Sequence, residues 1–299
     1  MAQVQTWDAE PAGSVTARLG EGPHWDARRG LLSWVDIPAG RLWVEQGASV
    51  QHLDLGAALG VAVPHEQGGW VCGLGRGVAL VDDAGSLLEH VQLEPAGVRM
   101  NDGKCDARGR FFVGSKADDN TTGAGSLWRL DLDGSVHRVL SGLTIANGLG
   151  WSPDGSTMYV TDSAAARITA HAYDEESGEL GPARPFVELP GDVGAPDGLA
   201  VDAEGFVWTA VWGGHQVRRH APSGELVGVV RVPASHVTSC AFSGPDLTTL
   251  AVTTAWDELP DEQRAQEPLA GRRFSADVGI RGRQGEPCRV VRSGWTAAG

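Results

Sequence analysis

Short runs of apolar or alternating residues recur along the chain, broken by turns rich in Gly and Asp. One phrase returns six times: an apolar residue, then often Asp or Ser-Pro-Asp, then Gly, then an apolar β-rich run. It begins at Trp25 (WDARRGLLSWVDI), Val63 (VPHEQGGWVCGL), Cys105 (CDARGRFFVGS), Trp151 (WSPDGSTMYVTDS), Val201 (VDAEGFVWTAVW) and Phe242 (FSGPDLTTLAVTT). The spacing is roughly 40 to 50 residues, the length of a four-stranded propeller blade. Between copies, SLWRLDLDGSVHRVL and VRRHAPSGELVGVV alternate about Asp-Gly and Ser-Gly turns, the mark of antiparallel hairpins. Helical periodicity is scarce, and its one candidate, DELPDEQRAQEP over 257–268, is expected to be a solvated loop. The pattern predicts an all-β, six-bladed β-propeller forming a single domain over 1–299. An elongated β-sandwich array is the main alternative.

A second regularity sits four residues before the apolar residue that opens each phrase. The first, third, fourth and fifth copies carry Glu21, Asn101, Asn147 and Asp197 there. The second has Gly60, counted from Pro64, and the sixth has Thr238. In a closed ring these places are related by the pseudo-symmetry axis, so four oxygen-bearing side chains should meet near the central channel. Glu21 and Asp197 would repel one another in a desolvated channel mouth. A divalent cation removes that conflict, and oxygen donors without thiolate suit Ca²⁺, Mg²⁺ or Mn²⁺ better than Zn²⁺. Turn capping is the alternative for any one Asn or Asp, but it leaves Glu21 unexplained.

Composition narrows the partners. The 299 residues are 41% apolar, enough for a substantial core, and 42 glycines and 16 prolines are scattered as turn punctuation. A net charge of −14 argues against nucleic-acid and anionic-membrane partners, whose binding rests on Lys and Arg. The N-terminal stretch MAQVQTWDAEPAG lacks a signal-peptide pattern, and no run has the length of a membrane span. Cys72, Cys105, Cys240 and Cys288 are widely separated and are expected as buried, reduced thiols in a cytoplasmic protein. The glycines of GLGRGVAL are read as a turn. His24 and His65 flank blade starts and are expected in packing or surface roles, and most of the eleven tryptophans in packing between blades.

The motifs GEGPHWD, RMNDGKCDARGRFFVGS, IANGLGWSPDG, GAPDGLAVDAEG and PLAGRRFSADVGIRG together resemble the SMP-30/gluconolactonase/luciferin-regenerating-enzyme family, which includes regucalcin. The likeness runs in order over nearly the whole chain. It implies a six-bladed propeller holding one divalent metal at the channel top and hydrolysing sugar lactones such as gluconolactone, xylonolactone or arabinonolactone. It further implies Glu21, Asn147 and Asp197 as metal ligands, with Asp197 also the general base. Arg99, Asn101 and Asp119 are the implied substrate contacts. Ca²⁺ is the expected ion, with Mg²⁺, Mn²⁺, Zn²⁺ and Fe²⁺ as alternatives. Where many relatives read GTM or GSM this chain reads GSK, so Lys116 either meets an anionic or strongly polar substrate group or turns to solvent.

Other catalytic signatures are missing: no G-x-S-x-G, no H-E-x-x-H and no P-loop pattern. Two readings from other classes stand beside the lactonase: a calcium-binding regulatory protein like regucalcin, and a protein-interaction propeller without catalysis. No obligate protein partner is evident.

Overall fold

Inner strands of the computed structural model are apolar on both faces. Leu31–Asp36, Leu59–Pro64 and Ala146–Trp151 are buried at every position, a pattern that requires a packed layer on each side. Outer strands such as Ser49–Asp54 and Leu87–Gln92 mix exposed and half-buried residues. The structure describes residues 4–297; the first three residues of the N-terminal stretch and the last two of the unit expected over 1–299 lie outside the described residues.

The strands form six sheets. Blade 1 spans 20–54, blade 2 59–92, blade 3 98–143, blade 4 146–188 and blade 5 195–231. Blade 6 takes three strands from 237–277 and its outermost from Glu10–Thr16, which pairs antiparallel with Arg272–Asp277. Gln5–Asp8 and Thr296–Ala297 add parallel edge strands to blades 5 and 3. An apolar cluster fills each junction between neighbouring blades. The junction of Leu32 and Trp34 with Ala251 joins blade 1 to blade 6, a contact that an elongated array could not make. The ring is closed.

Aromatic packing follows the expectation in part. Trp208 meets Phe242 across blades 5 and 6, and Phe112 meets Trp151 across blades 3 and 4, with centroids 5.6 and 5.4 Å apart. Trp34 and Trp43 instead stack within blade 1. The GLGRGVAL glycines form the expected turn between Trp70–Leu74 and Gly77–Val81. All four cysteines are buried and unpaired, and burial pushes the Cys240 thiol up to about 12.

Every innermost strand bulges at the same level. Pairing slips between Glu21 and His24, Leu59 and Val61, Met100 and Gly103, Ala146 and Leu149, Pro196 and Leu199, and Val237 and Ser239. In five of the six the residue found by counting four back lies inside the slip; in blade 1 Glu21 itself pairs with Val35 and the slip begins just after it. A bulge leaves a residue unpaired and re-aims its side chain. The inner strands also crowd here: a Cβ on Gly148 would lie 2.5 Å from the Asp197 carbonyl oxygen, so only glycine fits.

Two features depart from the sequence reading. Asp261–Gln266 is a short helix where a loop was expected. Its first turn holds Asp261 and Glu262, which suit a helix N-terminus, and Glu267 fixes its end by accepting from Ser235 N and Gln263 Nε2. The segment after Asp277 is a strap across the far end of the ring. It bonds to Leu247, Ala203, Pro64, Gly109 and Leu132, drawn from blades 6, 5, 2 and 3. Among the described residues no helix is long and apolar enough to cross a membrane.

Candidate active site

The bulges bring the offset residues together at one mouth of the channel. Glu21, Asn101, Asn147 and Asp197, from four blades, line a cavity of about 450 Å³ with Arg99 and Lys116. Each of the four is at most 5% exposed. The two remaining offset places lie outside this lining; the Thr238 hydroxyl donates instead to the Gly20 carbonyl, tying blade 6 to blade 1.

Buried together, the acids destabilise one another's charge. Desolvation, then Asp197 and Asp102, push the Glu21 carboxyl well above its ordinary range. Desolvation, then Asp102, do the same to Asp197. Asp102 had no place in the sequence argument, because strict alternation would turn the neighbour of Asn101 away from the channel. The bulge between Met100 and Gly103 overrides alternation. Asp102 is 4% exposed, accepts from Gly103 N at 2.7 Å and feels Lys104 as its main favourable charge. Lys104 Nζ in turn donates to the Leu199 carbonyl at 2.7 Å. Within this buried cluster three carboxylates face one ammonium, while Arg99 acts on Glu21 and Lys116 on Asp197 from the cavity wall.

The two carboxamides differ. Asn101 is satisfied: its Oδ1 accepts from Arg99 Nη1 at 2.8 Å and its Nδ2 donates to the Ala146 carbonyl at 3.0 Å. Asn147 donates through Nδ2 to Ser163 Oγ at 3.1 Å, while its Oδ1 has no partner. Asp197 Oδ1 is likewise buried without a partner. Leaving such acceptors unmet costs about 1–3 kcal/mol each, more for a charged one. Two orphaned oxygens and the Glu21 carboxylate in one cavity are donors of the kind a hard cation accepts. Among the described residues no three His, Cys, Asp or Glu side chains group as a metal site, so a set that fits a cation here must draw on the Asn147 carbonyl oxygen.

Asp119 is the exception among the expected contacts. It accepts from the backbone and hydroxyl of Thr121, both bonds exposed, and stands outside the cavity, which its neighbours Asp118 and Asn120 line instead. Lys116 lines the cavity half-buried and is not turned fully to solvent. Trp212, stacked on His236 at 3.9 Å, gives the cavity an aromatic wall, and Asp257 and Glu258 complete it. No sequence signal singled these out: Asp257 and Glu258 lie in a loop outside the repeated phrase, and Trp212 closes the fifth phrase at the end of strand Val207–Trp212, away from the offset position. His24 and His65 are buried packing residues: His65 Nε2 bonds the Val290 carbonyl at 2.9 Å, and His24 lines a separate cavity of about 320 Å³ that also touches the C-terminal strap.

A closed six-bladed propeller with an acid-lined channel mouth is the class of protein that fold and site define. The SMP-30/Gluconolactonase/LRE-like region matches residues 19–256, and the chain belongs to this family. It is 37% identical to pentonolactonase XacC of Haloferax volcanii, over 90% of this chain and 94% of that protein. It is 34% identical to the 6-deoxy-6-sulfogluconolactonase of Pseudomonas putida, over 88% and 92%. A crystal structure of the calcium-binding protein regucalcin from Agrobacterium tumefaciens superposes with a TM-score of 0.92 at 30% identity, covering 97% of this chain and all of that one.

Proposed function

We propose that this protein hydrolyses sugar lactones, using one divalent cation held by Glu21, Asn147 and Asp197. The observation that carries the proposal is the pair of orphaned buried oxygens, Asn147 Oδ1 and Asp197 Oδ1, sharing a cavity with the Glu21 carboxylate. Relatives named for pentonolactone and sulfogluconolactone hydrolysis support the reaction class. The all-oxygen donor set and a relative described as calcium-binding support Ca²⁺ as the ion. When bound, the cation would supply Lewis-acid polarisation of the lactone carbonyl.

This chain's own residues would do the rest. Asp197 takes a proton from the attacking water through Oδ2, the oxygen not assigned to the cation, as the water oxygen bonds to the carbonyl carbon. The same carboxyl returns a proton to the ring oxygen when the ring C–O bond breaks, giving the open hydroxy acid. Arg99, fixed by Asn101 Oδ1, presents its free N–H groups to substrate oxygens. The sugar ring, flat and apolar on its faces, suits the Trp212 wall, while its hydroxyls suit Asp118 and Asn120. The test is acid release from a panel of aldonolactones against a no-enzyme control. Faster ring opening of at least one sugar lactone is expected; rates equal to the control across the panel would sink the proposal.

A further inference from the structure

Arg99 and Lys116 stand directly opposite one another on the first two strands of blade 3. Like charges in direct cross-strand register repel, and partial burial weakens the screening that would make this harmless. Both line the same cavity and both are half-buried. Burial lowers the pKa of each, and Arg99 is the next largest influence on Lys116. Arg99 Nη1 is engaged by the Met100 carbonyl and Asn101 Oδ1. Among the described residues, no hydrogen bond or ion pair stabilises the Lys116 ammonium. Asp118, Asp257 and Glu258 share the cavity, but they act on the two cations only through longer-range attraction, and Asp257 is bonded to Arg18 Nε at 2.9 Å. The chain has just two lysines, and the other, Lys104, is already tied to the Leu199 carbonyl.

We propose that Arg99 and Lys116 form an oxyanion subsite, selecting lactones that carry a second acidic group away from the ring ester. The inference rests on the lactonase reading and adds the substrate class to it. An oxyanion seated between the two cations removes their repulsion and accepts charge-assisted hydrogen bonds from both, each about twice as strong as a neutral one. Asn101 holds the guanidinium in place for this. The flexible ammonium admits either a carboxylate or a phosphate.

The experiment compares kcat/KM for three probes: neutral gluconolactone, an aldarolactone with a free carboxylate, and a 6-phosphorylated aldonolactone. The wild type, Lys116→Met and Lys116→Arg are measured, with thermal melts to verify folding. The wild type should prefer one acidic probe, and that preference should fall about tenfold, or ~1.4 kcal/mol, in Lys116→Met while Lys116→Arg keeps most of it. The two acidic arms separate carboxylate from phosphate. A preference for the neutral lactone that Lys116→Met leaves unmoved overturns the subsite while the lactonase reading stands. If no lactone is opened, the lactonase reading fails, and calorimetric binding of glucarate against gluconate decides the subsite. Tighter glucarate binding, weakened by Lys116→Met, supports it; equal binding overturns it.

Discussion

Asn101 and Asn147 occupy equivalent places in successive innermost strands, yet their amides serve different ends. Asn101 is consumed within the protein, locking Arg99 and bridging to Ala146. Asn147 keeps an oxygen free. In the proposed mechanism Asp197 joins two roles in one side chain, so Asp197→Ala should lower turnover by at least about 100-fold, within the range for losing a positioned base, and weaken cation binding as well. Steady-state lactone hydrolysis and metal titration on the same preparation check this; wild-type turnover in the variant contradicts it. The four oxygen donors were legible in the sequence because the repeated phrase supplies a ruler. Asp102, Lys104, Asp118 and Trp212 were not. The first two depend on a bulge that breaks alternation, Asp118 lies just past the end of its strand, and Trp212 ends the strand of the fifth phrase, where the ruler marks nothing.

Each hairpin at the far end of the ring explains a letter in the phrase. In CDARG and VDAEG the Asp is a buried turn anchor: Asp106 Oδ1 accepts from Arg108 N and Arg110 N, and Asp202 Oδ1 from Glu204 N and Phe206 N. The other oxygen of each meets an arginine, Arg110 Nε at 2.6 Å and Arg219 Nη2 at 2.8 Å. Asp202 also accepts from Trp208 Nε1. Asp202→Ala would leave Arg219 buried without this partner and should cost about 3–5 kcal/mol of stability, read by chemical denaturation. A loss below about 1 kcal/mol would mean that the pair is no better than a surface contact. The element count was readable because turns and inner strands repeat. The strap after Asp277 was not, since its hold on four blades comes from scattered backbone bonds with no periodic signal.

At the scale of the whole ring, closure depends on Glu10–Thr16 completing blade 6, a partnership between opposite ends of the chain that hydrophobic pattern alone cannot assign. Closure also buries histidines in neutral form. Burial lowers His24 and His220 from 6.5 to about 4. The unfolded chain therefore takes up these protons first as pH falls. Stability is fully present above 6.5 and declines as pH drops toward about 4, by up to ~3 kcal/mol for each ring. Denaturation at stepped pH compares wild type with His220→Gln, because the raised Glu21 and Asp197 carboxyls act in the opposite sense in both proteins; equal pH slopes from about 7 to 4.5 contradict the histidine contribution. The central claim is that the ring assembles one cation site from three blades. Calorimetric titration of Ca²⁺ into chelator-stripped protein tests it most directly. One site per chain is predicted for the wild type, lost or severely weakened in Glu21→Gln, Asn147→Ala and Asp197→Ala while their circular dichroism stays unchanged; undiminished binding in all three variants, or none of Ca²⁺, Mg²⁺ or Mn²⁺ bound by the wild type, would contradict it.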